Sequence, residues 1–270
     1  MAIWSDVVMK KVVNTLKLLV LFVVIFISSQ LLASMLSSLL HFSGDVGFML
    51  QYVLSMGLVY VVATLYERAE YQAVRPVMRS AKGFDPMAIL TGVVLLMAIS
   101  ITLWPLRGNL PGDQRVYGDG VYTLITIVLI SPIMEEVIFR GRLYNLLGHT
   151  ASPFMAAFLS SFVFAAIHMQ PIVIIDGFLS GMLFSYMYLL KRSIILPILL
   201  HICNNMIAYG LHILSYAGRP LMEYIGSEHY YLPLYITSSV LVLIFVAFMA
   251  KRFYKERKMI MKSLTTEGEK

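Results

Sequence analysis

The feature that most restricts the fold of this chain is a series of apolar runs, each close to the length of a membrane-spanning helix. Crossing the hydrocarbon layer takes about 20 apolar residues. Hydrophobic residues make up 59% of the chain and charged residues 13%, against about 45–50% and about 25% in soluble domains. The sequence therefore predicts transmembrane helices at about Leu18–Leu40, Phe48–Leu65, Met87–Leu106, Val121–Phe139, Pro153–His168, Ile172–Leu190, Ile194–Leu214 and Leu232–Ala250.

These runs indicate an all-α membrane protein, a polytopic bundle of about eight transmembrane helices around an intramembrane polar cavity. No soluble linker or low-complexity segment separates the runs, so residues 1–270 are interpreted as a single transmembrane domain. Polar residues concentrate between about 121 and 214, which we expect to form the catalytic core. Residues 251–270 are expected to form a basic cytoplasmic tail.

The distribution of lysine and arginine predicts the orientation. With the N-terminus inside, only Arg107, Arg115 and Arg219 of the 21 basic residues fall in outer loops, whereas Arg140 and Arg142 join the cytoplasmic set. Basic residues favour the cytoplasmic side of a membrane. Both termini are therefore predicted to be cytoplasmic in an integral membrane protein. The net charge of +6 follows this topology, so the bilayer is the expected partner and nucleic acid is not.

Three acidic residues lie inside the candidate spans, where a charge costs about 2.5–3.5 kcal/mol on insertion scales, and two histidines lie in apolar helical runs beside other polar groups. Such residues usually face the bundle interior and mark a functional site. They are Glu135, Glu136, His168, Asp176 and His201.

Helical spacing predicts which of these side chains meet. Residues four apart share a helix face, so Glu136 can pair with Arg140, and His201 projects beside Asn205. Glu135 lies about 100° round the helix from Glu136. We therefore expect Glu136 and Arg140 to be supporting residues and Glu135 to have no cation within its own helix.

This set of residue types suits amide hydrolysis, which needs an activated water and donors for the oxyanion and leaving group. Glu135 and His168 are candidates for activating the water, and His201 and Asn205 for stabilising the oxyanion. The alternative is a divalent metal such as zinc, bound by Glu135, His168 and His201. The HExxH motif is absent, and no cofactor is expected.

Small residues on the sixth predicted helix have a simpler interpretation. Ser180 precedes Gly181, but the GxSG pattern of serine-type intramembrane proteases is absent. Gly177, Gly181 and Ser185 recur every four residues, which is typical of close helix packing. The single cysteine, Cys203, is expected to be a small buried side chain.

Three motifs together resemble the CAAX protease and bacteriocin-processing family, also called the Abi family, which includes the type II CAAX prenyl endopeptidases. They are EEVIFR at Glu135–Arg140, FAAIH at Phe164–His168 and HICNN at His201–Asn205. The resemblance implies an eight-helix, glutamate-dependent intramembrane endopeptidase. It implies Glu135 and His168 as the water-activating pair, His201 and Asn205 as the oxyanion pair, and Glu136 and Arg140 as supporting residues.

The expected substrate is a membrane-associated peptide or protein, cleaved in a bacterial cell membrane. Family roles in peptide processing, bacteriocin immunity and surface-protein regulation suggest the biological settings. A non-proteolytic scaffold or immunity factor is the main alternative, and a solute transporter is the third hypothesis.

The depth of His168 raises one difficulty. A fifth helix that starts at Pro153 would place His168 far from Glu135, because each residue adds about 1.5 Å. We therefore expect either an in-plane or re-entrant segment within Arg142–Thr150, or a strong tilt of the fifth helix.

Overall fold

The computed structural model describes residues 2–79, 84–107, 120–214, 225–226 and 228–267, and these residues are organised into helices without a β-sheet. We number eight helices in chain order: α1 Ala2–Leu39, α2 Gly44–Tyr71, α3 Pro86–Arg107, α4 Val121–Leu147, α5 Pro153–Ala166, α6 Pro171–Lys191, α7 Ile195–Ile213 and α8 Glu228–Glu267. The predicted fold class, an all-α polytopic membrane protein, is confirmed.

The eight helices differ in their capacity to cross a bilayer. Within the described residues, α1, α2, α3, α4, α6 and α8 are long and apolar enough to span it, whereas α5 and the apolar part of α7 are shorter. Helix α5 has 14 residues, which corresponds to about 21 Å of rise against a hydrocarbon thickness of about 30 Å. The chain is an integral membrane protein, with short helices in its polar core.

The first and last helices extend beyond their predicted limits. Helix α1 begins at Ala2 rather than at Leu18, and α8 continues to Glu267, so the basic segment after Lys251 is helical as far as Glu267. These extensions mix charged and apolar residues, and hydropathy alone does not report them because a helix can continue past the hydrocarbon layer into water.

Helix α6 lies at the centre of the bundle. In its apolar window, 56% of the residues are buried, compared with 28% for α1 and 22% for α8. Gly181 lets α6 approach α5 and α4, since a Cβ at this position would lie 3.1 Å from Arg140 Nη2 and 3.2 Å from Ser161 Cβ. Ser185 continues this face and shares a 3.0 Å hydrogen bond with Ser161. The predicted packing role of the small residues is confirmed.

Helix α4 continues past its predicted end at Phe139, and this corrects two expectations. Arg140 is 0% exposed and Arg142 is 3% exposed, so neither belongs to a cytoplasmic loop. Residues 142–147 are the last turns of α4, and only the short connection 148–152 precedes α5. The segment therefore does not form a separate in-plane helix. Buried hydrogen bonds explain the continuation, because Asn145 donates to the carbonyl oxygen of Gly141 at 2.7 Å.

The end of α4 is held by a second polar cluster. Glu67 on α2 is 1% exposed. It accepts from Arg142 Nη1 at 3.2 Å, lies 3.1 Å from His149 Nε2, and accepts from the backbone N–H of Arg75 at 3.1 Å. The His149 ring stacks on Tyr71 with centroids 3.8 Å apart. These contacts connect α2, α4 and the segment after α2, and they explain why Arg142 is buried.

Candidate active site

Two π-helical segments flank the glutamate pair in α4. They span Thr126–Ile130 and Val137–Leu143, and the α-helical turn Ser131–Glu136 lies between them. A π-segment changes the i→i−4 bonding pattern of a helix, and such segments are frequent at functional sites. Here the amide of Asn205 on α7 donates to the carbonyl oxygen of Ile127 at 3.0 Å. The irregular backbone therefore ties α7 to α4 beside the glutamates.

Glu135 is buried and is held by hydroxyl groups from two helices. Its carboxylate is 7% exposed, and Oε1 accepts hydrogen bonds from Tyr52 Oη at 2.6 Å and from Ser131 Oγ. Tyr52 lies on α2, and its hydroxyl is also 3.0 Å from Ser131 Oγ. As predicted, no cation within α4 pairs with Glu135 among the described residues. Glu135 is nevertheless firmly oriented, and only its Oε2 faces the histidine of α7.

Glu136 and Arg140 form a fully enclosed ion pair. Both side chains are 0% exposed, and Arg140 Nη1 lies 2.8 Å from Glu136 Oε1, as the spacing predicted. Arg140 Nη2 donates to the carbonyl oxygen of Gly181 at 2.9 Å. The guanidinium carbon also lies 4.7 Å and 5.5 Å from the ring centroids of Phe164 and Phe184. The pair connects α4 to α6 and fills the space that Gly181 leaves open.

His201 lies between the two glutamates. Its Nδ1 is 2.9 Å from Glu136 Oε1, and its Nε2 is 3.7 Å from Glu135 Oε2. The ring stacks on Phe184 at 5.0 Å and meets Phe164 edge-on at 5.7 Å. The two carboxylates therefore point to partly different partners, as predicted, but they share this histidine. Spacing along one helix could not show this contact, since His201 is 65 positions from Glu136.

His201 meets the two glutamates through different ring nitrogens. An ionised carboxylate only accepts hydrogen bonds, so the contact with Glu136 Oε1 places a hydrogen on Nδ1. The other ring nitrogen, Nε2, faces Glu135 Oε2.

His168 lies in the turn after α5 and contacts the Phe164 ring, which also meets His201. Its Nδ1 is 2.8 Å from the backbone carbonyl oxygen of Phe164, and the two rings are 5.1 Å apart. A carbonyl oxygen only accepts, so Nδ1 carries a hydrogen, and in the neutral form of the ring Nε2 has a lone pair. Among the described contacts, none joins His168 directly to Glu135. A pairing of these two residues would therefore act through a water.

The structure thus brings four of the six predicted site residues into one connected network. Glu135, Glu136, Arg140 and His201 are buried together, and Asn205 bonds the backbone of α4 nearby, at Ile127. His168 is adjacent to this network through Phe164.

Two residues of the site were missed by sequence reasoning. Ser131 is four residues before Glu135 on the same helix, so this spacing could have identified it as a partner of Glu135. Tyr52 is 83 positions away on α2, and tyrosines are common along this chain. Only the packing of α2 against α4 identifies it.

The alternative metal site would need Glu135, His168 and His201 to converge on one ion. Among the described residues, no group of three His, Cys, Asp or Glu side chains is placed to do so. Metal dependence stays a prediction, and we derive no step through a metal.

The part of the chain that carries this site is similar to a known protein family. Residues 118–207 match the family model described as type II CAAX prenyl endopeptidase Rce1-like. This segment is Rce1-like. The resemblance read from the three motifs is confirmed, and the Rce1-like segment contains all six predicted site residues. Their individual roles stay predictions, because the match assigns none.

Two bacterial relatives align with part of the chain. An Escherichia coli protein named "Uncharacterized 24.3 kDa protein" is 29% identical over 119 residues, which cover 42% of this chain and 54% of the relative. A Bacillus subtilis (strain 168) protein named "Putative membrane peptidase YdiL" is 28% identical over 82 residues, or 30% of this chain and 34% of the relative. The chain therefore spans about half or less of the relatives it matches. No solved structure matches it significantly.

Proposed function

We propose that this protein is an intramembrane endopeptidase that hydrolyses a peptide bond of a membrane-associated peptide or protein without a metal. The observation that carries this proposal is the meeting of Glu135 Oε2 and His201 Nε2, 3.7 Å apart and both buried in the bundle. At this separation the carboxylate and the imidazole lie side by side, so the two groups can act on one attacking water and one substrate carbonyl that enter next to them. The Rce1-like family match supports the reaction class.

Glu135 is the proposed general base. Its Oε1 is occupied by Tyr52 and Ser131, so Oε2 takes the proton of the attacking water. His168 Nε2, which has a lone pair, is the proposed second acceptor for that water. Since the carboxylate and His168 are not in contact, the water is the link between them.

His201 is the proposed oxyanion donor. When its Nδ1–H is committed to Glu136, only an imidazolium can present a second N–H at Nε2. Asn205 uses one amide hydrogen on Ile127 and keeps another for the substrate carbonyl. The Glu136–Arg140 pair is proposed to hold His201 in place, because Glu136 accepts from both residues.

The biological setting we propose is a bacterial membrane, in peptide processing, bacteriocin immunity or surface-protein regulation. The family resemblance and the bacterial origin of the two relatives support this setting.

The decisive experiment compares wild type, Glu135→Gln and the control Glu70→Gln in liposomes. Glu70 is an exposed glutamate on α2, so its variant matches the loss of one carboxylate outside the site. Each protein is incubated with lipidated and precursor peptides, and mass spectrometry identifies the fragments. We expect identical fragments from wild type and Glu70→Gln and a loss of at least about a hundredfold in rate for Glu135→Gln. Equal cleavage by all three contradicts the mechanism, and cleavage by none favours the scaffold alternative.

A further inference from the structure

A basic cavity lies at the end of the bundle where α6 ends and the C-terminal part of α8 begins. It has a volume of about 590 Å³ and is also bordered by the segment after α2, the end of α4 and the start of α5. No aspartate or glutamate is among the described residues that line it. The lining includes four cationic side chains: Arg75, Arg192, Arg252 and Lys255.

These four cations are not neutralised within the described part of the chain. None of them forms an ion pair with a described carboxylate, and the side chain of Arg252 contacts only the Tyr186 ring, at 5.9 Å. The neighbouring Lys191 differs, because it donates to Asp85 and that hydrogen bond holds the pKa of Asp85 below its usual value. The cavity therefore has an excess of positive charge that a dianionic or monoanionic group could balance.

The positions of the cations match the depth of lipid headgroups. Arg252 is the last residue of the span His229–Arg252, and Lys255 is less than one turn beyond it. Arg192 directly follows the span that ends at Lys191, and Arg75 comes four residues after the end of α2 at Tyr71. The residues after Tyr71 are not helical, and four residues of extended chain reach at most about 14 Å. All four cations therefore lie within a few residues of the end of a span, near the boundary between hydrocarbon and water.

An apolar groove lies beside this cavity on the membrane side. It has a volume of about 460 Å³ and is lined by α3, α6 and α8. Its walls include Leu95, Tyr186, Ile244 and Phe248. Tyr186 belongs to the groove and lies under Arg252, which belongs to the basic cavity. A hydrocarbon chain in the groove would thus be continuous with a charged group in the cavity.

We propose that the basic cavity and the apolar groove together bind one anionic phospholipid. The headgroup phosphate lies among Arg75, Arg192, Arg252 and Lys255, and an acyl chain lies along α3 and α8. Arginine forks match phosphate oxygens in charge and geometry, and basic pockets between helix ends at the cytoplasmic surface are typical of lipid headgroup sites. A soluble phosphate would use the cations but would leave the groove without a role.

The test compares two double variants with the same loss of charge. Arg252→Gln/Lys255→Gln removes two cations of the cavity, and Lys251→Gln/Lys258→Gln removes two exposed lysines of the same helix that do not line it. Full-length protein is purified in a neutral detergent with added dioleoyl phosphatidylglycerol or phosphatidylcholine. Native mass spectrometry then measures the bound lipid, and thermal melting verifies that each variant is folded.

We expect wild type to retain one phosphatidylglycerol in preference to phosphatidylcholine. The cavity variant should bind phosphatidylglycerol at least about tenfold more weakly, and the control should change less than about threefold. Equal losses in the two variants would show diffuse attraction by the tail, and no loss in either would exclude the cavity; both outcomes overturn the proposal. Inorganic phosphate and glycerophosphoglycerol serve as soluble competitors. Displacement of the lipid by either one at an equal concentration would show that the site recognises a free anion instead.

Discussion

Tyr52 reaches Glu135 from α2, a helix that carries none of the three motifs. Its hydroxyl fixes Oε1 and so leaves Oε2 for the reaction. Hydrogen bonds to charged groups contribute about 1.5–3 kcal/mol, and about 1.4 kcal/mol corresponds to a factor of ten. We therefore expect Tyr52→Phe to lower the rate of peptide cleavage about tenfold to a hundredfold, measured as initial rates in liposomes.

The control for this prediction is Tyr66→Phe on the same helix. Tyr66 is a half-buried tyrosine whose hydroxyl has no hydrogen bond in the described part of the chain. Its variant should cleave at the rate of wild type. A full rate for Tyr52→Phe would show that Ser131 alone orients Glu135.

Burial of Arg140 leads to a prediction about the stability of the protein. Removing one partner of a buried ion pair costs about 3–5 kcal/mol, because the other charge stays buried without its partner. Arg140→Met should therefore lower the free energy of unfolding by about this amount, measured by denaturant titration in detergent.

Lys191→Met is the comparison for Arg140→Met. Lys191 also pairs with a carboxylate, but its side chain is 25% exposed, and pairs with solvent access contribute at most about 1 kcal/mol. Similar losses in the two variants would mean that the enclosed pair is not the main support of the core.

The helices pack closely around α6, and Gly181 on this helix allows a test of that close packing. A Cβ at Gly181 would lie 3.1 Å from Arg140 Nη2 and 3.2 Å from Phe164 Cδ1. Those neighbours cannot move freely, since Arg140 also bonds Glu136 and the Gly181 carbonyl oxygen. Gly181→Ala should destabilise the protein by about 1–3 kcal/mol and reduce cleavage, because Arg140 supports Glu136 beneath His201.

Gly177→Ala, one turn earlier on the same face, is the matched control. Its added Cβ would lie 3.6 Å from Ala165 Cα, which is an ordinary contact distance. Thermal melting in detergent and the cleavage assay should both give values close to wild type. If the two alanine variants behave alike, the close approach at Gly181 does not determine the geometry of the site.

For the whole molecule, we predict on which side of the membrane each terminus lies. The distribution of basic residues predicts that both termini are cytoplasmic and that the 108–119 loop, which is outside the described residues, faces the opposite side. In a Cys203→Ser background, Ser5→Cys and Lys258→Cys should resist an impermeant maleimide in intact cells, whereas Arg115→Cys should react. Labelling at only one terminus would require an odd number of crossings and would contradict the proposed arrangement.

The sequence by itself determined the fold class and the resemblance to a family. Apolar runs near the length of a bilayer favour helices, because backbone groups in lipid must be bonded within their own segment. The contact of Glu136 with Arg140 was also predictable. The two residues are four positions apart on one helix, and the helix alone brings them together.

Only the tertiary structure decided how the site is assembled. His201 bridges the two glutamates, Tyr52 binds Glu135, and Arg142 is buried against Glu67. Each of these contacts joins residues more than 60 positions apart. Helical periodicity predicts which face a side chain occupies, but the rotation and depth of each helix depend on packing against its neighbours. Tertiary packing also explains why α4 continues past Phe139. Arg140 and Arg142 predicted a cytoplasmic loop, but they pair with Glu136 and Glu67 inside the bundle.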